Sequence, residues 1–330
     1  MNVLITGGTG YIGSHTAVSL LESGYGVIIA DNLSNSNILA VNAIKRITGK
    51  DVTFYHADLS DYLATEKIFR ENSVDAVIHF AGLKSNVESV MFPLRYYKNN
   101  VGSTMSLLSA MKKYGVNRLV FSSSATVYKG NAIPYKEDMP ISNFDNTPYG
   151  CGKAMVEKML TDCAAATPKL QIVALRYFNP VGAHESGLLN ENPKNPSKNL
   201  MPGLIKVAAG EEPHLNIYGN DYNTHDGTCV RDFIHVCDLA EGHIKALEHL
   251  KNGMDFINLG TGKGYSILEV HRAFEKVNNI KIPYVFAPRR KNTLPIFYAD
   301  TSKAKHLLDW EATRTLNEMV KLRSAELANA

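Results

Sequence analysis

Apolar residues in the first half of the chain fall into short, nearly unbroken runs at residues 3–6, 27–31, 52–58, 76–82 and 118–124. Runs of this length, rich in Val and Ile and stopped by Gly, Asp or Ser, predict strands. After each run, polar and apolar positions repeat at helical spacing. Strands that read apolar on both faces and alternate with helices predict a parallel sheet covered on both sides. A sixth strand is expected at 172–179, after which a Pro/Asn/Gly-rich stretch at 190–202 breaks the rhythm. Shorter elements follow at 215–219, 232–235, 255–260 and 282–286, with helices near 236–250 and 266–277. They predict a smaller α/β lobe docked on the sheet edge.

The first strand runs straight into TGGTGYIG, which places Gly7, Gly10 and Gly13 where the first helix opens. Glycines at that junction let the backbone turn tightly and bring amides close to a pyrophosphate at the positive end of the helix. The alternative is a plain glycine-rich turn, and the placement favours dinucleotide binding. Asp31 ends the second strand, where a carboxylate can accept hydrogen bonds from an adenosine ribose and would repel a 2′-phosphate, favouring NAD over NADP. Asp31 can equally cap a helix. Asp58 and residues 80–84 end the third and fourth strands, at the edge where such folds bind ligands; from position alone they can also be loop punctuation. The expected fold is α/β, a Rossmann-type doubly wound parallel sheet. Residues 1–180, with contributions from about 230–260, form the NAD-binding domain, and 181–330 form the smaller C-terminal substrate lobe.

Composition narrows the partners. The 330 residues include 45% apolar positions, enough for a large core, and 35 Lys and Arg nearly balance 32 Asp and Glu. The positive residues are scattered rather than gathered into a stripe, which argues against nucleic acid. No apolar run approaches the roughly 20 residues that span a bilayer. The first apolar stretch leads into the glycine turn rather than a cleavage site, so a cytoplasmic location without membrane attachment is expected. Cys151, Cys163, Cys229 and Cys237 show neither CxxC nor His-coupled zinc spacing, and no metal site is expected.

Tyr149 and Lys153 stand four residues apart on a helix predicted to start after Pro148, and so share one face about 6 Å apart along the axis. A fixed ammonium, together with a nicotinamide charge, can stabilise a phenolate and make Tyr149 a base near neutral pH. Ser124, at the tip of the fifth strand, can bond the same substrate oxygen. YxxxK alone occurs by chance and also fits an ordinary surface pair. The glycine loop, the acidic strand end and the serine run ahead of it give it weight.

The ordered segments TGGTGYIGSHT (6–16), DNLSNS (31–36), HFAGLK (79–84), FSSSATVY (121–128), PYGCGK (148–153), LRYFNPVGAH (175–184), NLMP (199–202), GTCVRDFIHVCDLA (227–240) and APRR (287–290) resemble the nucleotide-sugar 4-epimerases of the extended short-chain dehydrogenase/reductase family. The resemblance spans nearly the whole chain. It implies NAD-dependent inversion at C4 of a UDP-hexose, UDP-galactose to UDP-glucose, through a 4-keto sugar. Tyr149 is then the base, Lys153 its electrostatic partner and Ser124 a proton relay. By the same resemblance, NAD is held by Gly7, Gly10, Tyr11, Ile12 and Gly13; by Asp31, Asn32, Leu33, Ser34, Asn35 and Ser36; by Asp58 and Leu59; by Phe80, Ala81, Gly82 and Lys84; and by Asn99, Ser122, Tyr149, Lys153 and Phe178. The UDP-sugar is held by Ser124, Tyr149, Asn179, Asn199 and Leu200, with Asn216, Ile217 and Tyr218 at the uracil, Arg231 and Arg290 on the pyrophosphate, and Phe297 beside the hexose. From their type alone, Arg231 and Arg290 read as surface charges.

The pattern departs from the family at Thr293, where an acidic residue is common, and at Gly152, where Ser is common. Phe297 replaces the usual Tyr. Its bulk argues for plain hexoses, whereas the lost hydroxyl and Thr293 leave UDP-N-acetylglucosamine and UDP-N-acetylgalactosamine as the alternative substrates. A non-catalytic NAD-sensing protein predicts a broken catalytic set, which this chain lacks. A homodimer paired through helices near 104–113 and 154–161 is expected, although the same apolar positions can pack within the chain.

Overall fold

The computed structural model describes residues 1–130, 132–141, 147–191, 199–290 and 293–323. Strands β1 (Asn2–Thr6), β2 (Gly26–Asp31), β3 (Thr53–His56), β4 (Ala76–His79), β5 (Arg118–Ser124) and β6 (Gln171–Tyr177) alternate with helices α1 (Tyr11–Glu22), α2 (Leu39–Thr48), α3 (Tyr62–Glu71), α4 (Asn86–Met91), α5 (Pro93–Tyr114) and α6 (Pro148–Ala166). Across the sheet the order is β3, β2, β1, β4, β5, β6 and then the strand Gly253–Leu259, with every neighbouring pair parallel. The chain leaves β1 toward one edge and returns at β4 toward the other. That reversal opens a crevice at the carboxyl ends of the strands.

Strand parity splits the core in two. Val3 and Ile5 of β1 join one apolar cluster, which includes Val18 and Leu21 of α1 and Leu239 and Leu247 of the helix Val236–His249. Leu4 points the other way, into a cluster with Ile68 of α3, Leu107 of α5 and Leu160 of α6. All these side chains are buried. Each contributes roughly 1.5–3 kcal/mol on transfer from water, so the sheet is the rigid platform on which the crevice rests. A third core, around Leu204, Ile217, Phe233 and Phe274, belongs to the smaller lobe.

Two elements differ from the pattern reading. Residues 255–260, which read as a short element after the break in rhythm, form a full strand, Gly253–Leu259, paired with β6 from Gln171 to Tyr177. The preceding helix, Val236–His249, packs on α1. β6 is apolar on both faces, and its outer edge is closed by a strand from late in the chain. The sixth strand also stops at Tyr177 instead of continuing to residue 179. Pro180 has no N–H to extend a ladder, and Asn179–Val181 pairs instead with Phe233–His235. In the smaller lobe, Leu215–Tyr218 pairs with Tyr284–Ala287. Residues 192–198 of the Pro/Asn/Gly-rich stretch lie outside the described residues.

Candidate active site

A continuous cleft of about 2130 Å³ runs from the N-terminus of α1, along the carboxyl ends of β1, β4 and β5, to the smaller lobe. This exceeds the ~300–1,000 Å³ occupied by ordinary small ligands and leaves room for two nucleotide-sized molecules. Every site residue named from the sequence lines it except Leu33.

At one end the glycines are obligatory. Gly7 adopts φ +70°, and a Cβ on it would lie 2.8 Å from the amide nitrogen of Ala81; a Cβ on Gly13 would lie 2.3 Å from the carbonyl oxygen of Gly7. Side chains would therefore separate α1 from the strand tips. Gly10 caps α1 with no side-chain acceptor on the first-turn amides, so these remain available to an anion. Asp31 organises the next loop: Oδ1 accepts from the Leu33 amide (2.9 Å) and the Ser36 hydroxyl (2.9 Å), and Oδ2 from the Thr9 amide (3.2 Å). Leu33 sits at φ 56°, its amide turned to that carboxylate. Asp58 accepts from the Ser60 amide (2.9 Å) and hydroxyl (2.8 Å). Burial opposes its charge, but these bonds, Asn32 and the Lys98 charge outweigh that and hold its pKa low. The glycine cradle, uncapped amides and Asp31 together fit the pyrophosphate and ribose of a dinucleotide.

The chemistry sits at the middle. Thr147 caps α6 by accepting from the Gly150 amide, and Pro148 occupies the first turn, where its missing N–H costs nothing. One turn in, Lys153 is 6% exposed; its ammonium donates to the Ser122 carbonyl (2.6 Å) and stands 5.9 Å from the Tyr149 ring centroid. Burial lowers its pKa to about 8, with Glu157 acting in the opposite sense. Burial raises the Tyr149 pKa, and a hydrogen bond from Ser124 lowers it. Tyr149 thus needs further positive charge in the cleft before it can act as a base. His79, the last residue of β4, bonds Thr6 (2.6 Å) and Thr104 (3.0 Å); burial first, and the Lys153 charge second, push its pKa down to about 3.

The smaller lobe supplies the other end. Arg231 is held by the carbonyls of Val230 (2.7 Å), Leu294 (2.7 Å) and Pro295 (3.4 Å), and among the described residues no carboxylate pairs with it. Burial works against its charge, so an anion at this place would be bound strongly. The Arg290 guanidinium lies 4.0 Å from the Tyr218 ring centroid. Asn216 is exposed, while the Ile217 side chain is buried in the lobe's core and offers the cleft mainly its backbone. Asn179 donates to the Asp232 carbonyl (2.7 Å). Phe297 is packed between Tyr135 (4.5 Å between centroids) and Phe178 (5.0 Å).

Two cleft residues escape sequence reasoning. Tyr177, the last residue of β6, bonds its hydroxyl to that of Ser122; it directly precedes Phe178 in the LRYFNP run, and the parity of that strand end was the available signal. Glu191 takes hydrogen bonds from Lys84 (2.8 Å) and Asn199 (3.3 Å), linking the two lobes across the cleft. No local pattern announces it.

A family model described as "NAD dependent epimerase/dehydratase family" matches residues 3–260. The chain belongs to that family. Among its relatives, the UDP-glucose 4-epimerase of Bacillus subtilis (strain 168) is 54% identical over 322 residues, covering 97% of this chain and 94% of the relative. The enzyme of Pasteurella multocida is 51% identical over 324 residues, covering 97% and 96%. The UDP-glucose 4-epimerase of Bifidobacterium longum, solved with NAD+ and UDP, superposes with a TM-score of 0.94 at 48% identity over 100% of this chain and 97% of that one. A UDP-Glc/GlcNAc 4-epimerase of Campylobacter jejuni superposes at 0.85 with 34% identity, covering 99% and 98%. The doubly wound fold and the epimerase resemblance read from the sequence agree with these matches.

Proposed function

We propose that this chain is an isomerase that inverts C4 of a UDP-hexose, interconverting UDP-galactose and UDP-glucose with NAD as resident cofactor. The observation that carries the reading is one cleft in which Tyr149, Lys153 and Ser124 stand between a dinucleotide cradle and the Arg231 guanidinium, with which no carboxylate pairs among the described residues. The relatives of about half-identical sequence are UDP-glucose 4-epimerases, which supports the same reaction.

Bound in the cradle, NAD supplies a hydride acceptor at C4 and a positive charge beside the phenol. Tyr149 takes the proton of the sugar 4-hydroxyl and later returns it, with Ser124 orienting the oxygen. Lys153, mostly protonated at pH 7 with its pKa near 8, stabilises the phenolate. Arg231 and Arg290 would hold the UDP pyrophosphate at the far end of the cleft, leaving the hexose end toward Tyr149 and Ser124. The packed Phe297 ring favours a plain hexose over an N-acetylated one.

We place the protein in the cytoplasm, a reading supported by the finding that no helix among the described residues is long and apolar enough to cross a membrane. We propose a homodimer through the outer flanks of α5 and α6, where Met105 and Met155 are exposed. The test of the reaction is chromatographic: purified protein without added reductant is given UDP-galactose and UDP-N-acetylgalactosamine in parallel. Glucose-epimer formation is expected. Conversion of only the acetylated sugar would transfer the assignment to the alternative substrates, and conversion of neither would remove it.

A further inference from the structure

The geometry points to Glu157 as a positioning residue for proton transfer at Tyr149, acting through a buried ion pair with Arg176; the inference rests on the epimerase reading above. Glu157 lies one turn beyond Lys153 on α6 and is 1% exposed, and Arg176 on β6 is 3% exposed. Its Oε1 accepts from the Ser123 hydroxyl (2.6 Å) and Arg176 Nε (2.9 Å), and its Oε2 from Arg176 Nη2 (2.7 Å). A single carboxylate therefore ties α6 to β5 and β6 at once. Ser123 and Arg176 are register partners in the sheet.

Those three elements carry the chemistry. Tyr149 and Lys153 are on α6; Ser122 and Ser124 flank Ser123 on β5; Tyr177, next to Arg176, bonds Ser122. Strand alternation puts the clamp on one face of the sheet tips and the Ser122, Ser124 and Tyr177 side chains on the other. Arg176 is itself fully engaged: it donates to the Glu137 carbonyl (3.0 Å) and lies over the rings of Tyr128 (4.9 Å) and Phe256 (4.5 Å). A buried pair of this kind adds little stability that well-packed apolar side chains could not, so its placement against the catalytic helix asks for another reason.

Charge supplies one. The ionisable groups around the pair and Lys153 are Tyr149 on α6, His79 on β4, Arg176 and Tyr177 on β6, and Tyr128 and Glu137 on the segment after β5. His79 is neutral, and burial raises the Glu137 pKa. Glu157 pairs with Arg176, and its charge also favours the Lys153 ammonium against burial.

The test compares Glu157→Gln and Ser123→Ala with the unaltered holoenzyme on UDP-galactose, with NAD content and thermal unfolding as fold controls. In Glu157→Gln, kcat should fall about ten- to hundredfold with KM within about twofold. The alkaline limb of the kcat profile should move to lower pH, because Lys153 loses its counter-charge. Phenolate absorbance of Tyr149, read as a difference against Tyr149→Phe, should appear at higher pH. Ser123→Ala keeps the carboxylate and should lower kcat without moving that limb. A folded Glu157→Gln with unchanged kcat and pH profile would overturn the proposal, as would equal losses in both variants with no change in either titration. Should Glu157→Gln fail to fold, Ser123→Ala and Arg176→Lys decide: reduced kcat at unchanged KM supports the clamp, and full activity in both refutes it. Inactivity of the unaltered protein would instead sink the epimerase reading, and the Tyr149 titration would still report on Glu157.

Discussion

Replacing Tyr149 by Phe removes one oxygen from the cleft and leaves the ring that packs beside Lys153. Turnover should fall by about 10²–10⁴-fold, the span of a lost general base, while NAD content and UDP affinity stay unchanged by equilibrium dialysis; retained turnover would strip Tyr149 of its role. Phe297→Ala tests the opposite kind of residue, one that acts by bulk. Opening the space between Tyr135 and Phe178 should raise the ratio of kcat/KM for UDP-N-acetylgalactosamine over UDP-galactose, and an unmoved ratio would show that selection lies elsewhere. The residues readable in the sequence are those whose chemistry needs a local pattern: three glycines at one turn, or Tyr and Lys one helical turn apart. Glu191 and the Ser123–Glu157–Arg176 set were invisible because their partners lie between 8 and 107 positions away, and nothing in the spacing marks them.

At the level of elements, two glycines near the site should respond in opposite ways. Gly152 sits within α6, and an added Cβ would meet only Tyr97 Cδ1 at 3.9 Å, an ordinary contact. Gly152→Ala should therefore stabilise the protein by about 0.5–1 kcal/mol, visible as a higher melting temperature with activity intact; a drop would mean that the helix needs its glycine. Gly13→Ala drives a Cβ into the Gly7 carbonyl. It should cost about 1–3 kcal/mol and release NAD, read as lost cofactor absorbance after gel filtration. Periodicity revealed β1, β2, β4 and β5 because buried parallel strands are largely apolar, whereas the edge strand β3, with no buried residue, was marked by its β-branched and aromatic residues. The pattern found an element at 255–260 and a contribution of about 230–260 to the NAD-binding domain, but not the pairing of Gly253–Leu259 with β6, since a strand announces its own run of residues and not the partner it will join.

For the whole molecule, burial sets the response to acid. His15, His79, His235 and His243 are all buried, and desolvation first holds their pKa values at about 3, 3, 4 and 4, against 6.5 when exposed. The folded state keeps them neutral while the unfolded chain takes up protons near pH 6.5. Their contribution is thus fully present above pH 6.5 and is lost as pH falls below it. With roughly 1.4 kcal/mol per group per pH unit, several kcal/mol should disappear between pH 6.5 and 5.5. Thermal unfolding followed across that range tests this, and a flat melting temperature would contradict it. The late strand beside β6 has a consequence on another timescale. Until residue 259 has left the ribosome, the nascent sheet carries an open apolar edge, for several seconds at the ~5–20 residues per second of synthesis. An unpaired edge is a template for pairing with other chains, so this protein's vulnerability to aggregation is concentrated in that interval of its birth, when the residues of the cofactor cradle are already made but the sheet behind them is still open on one side.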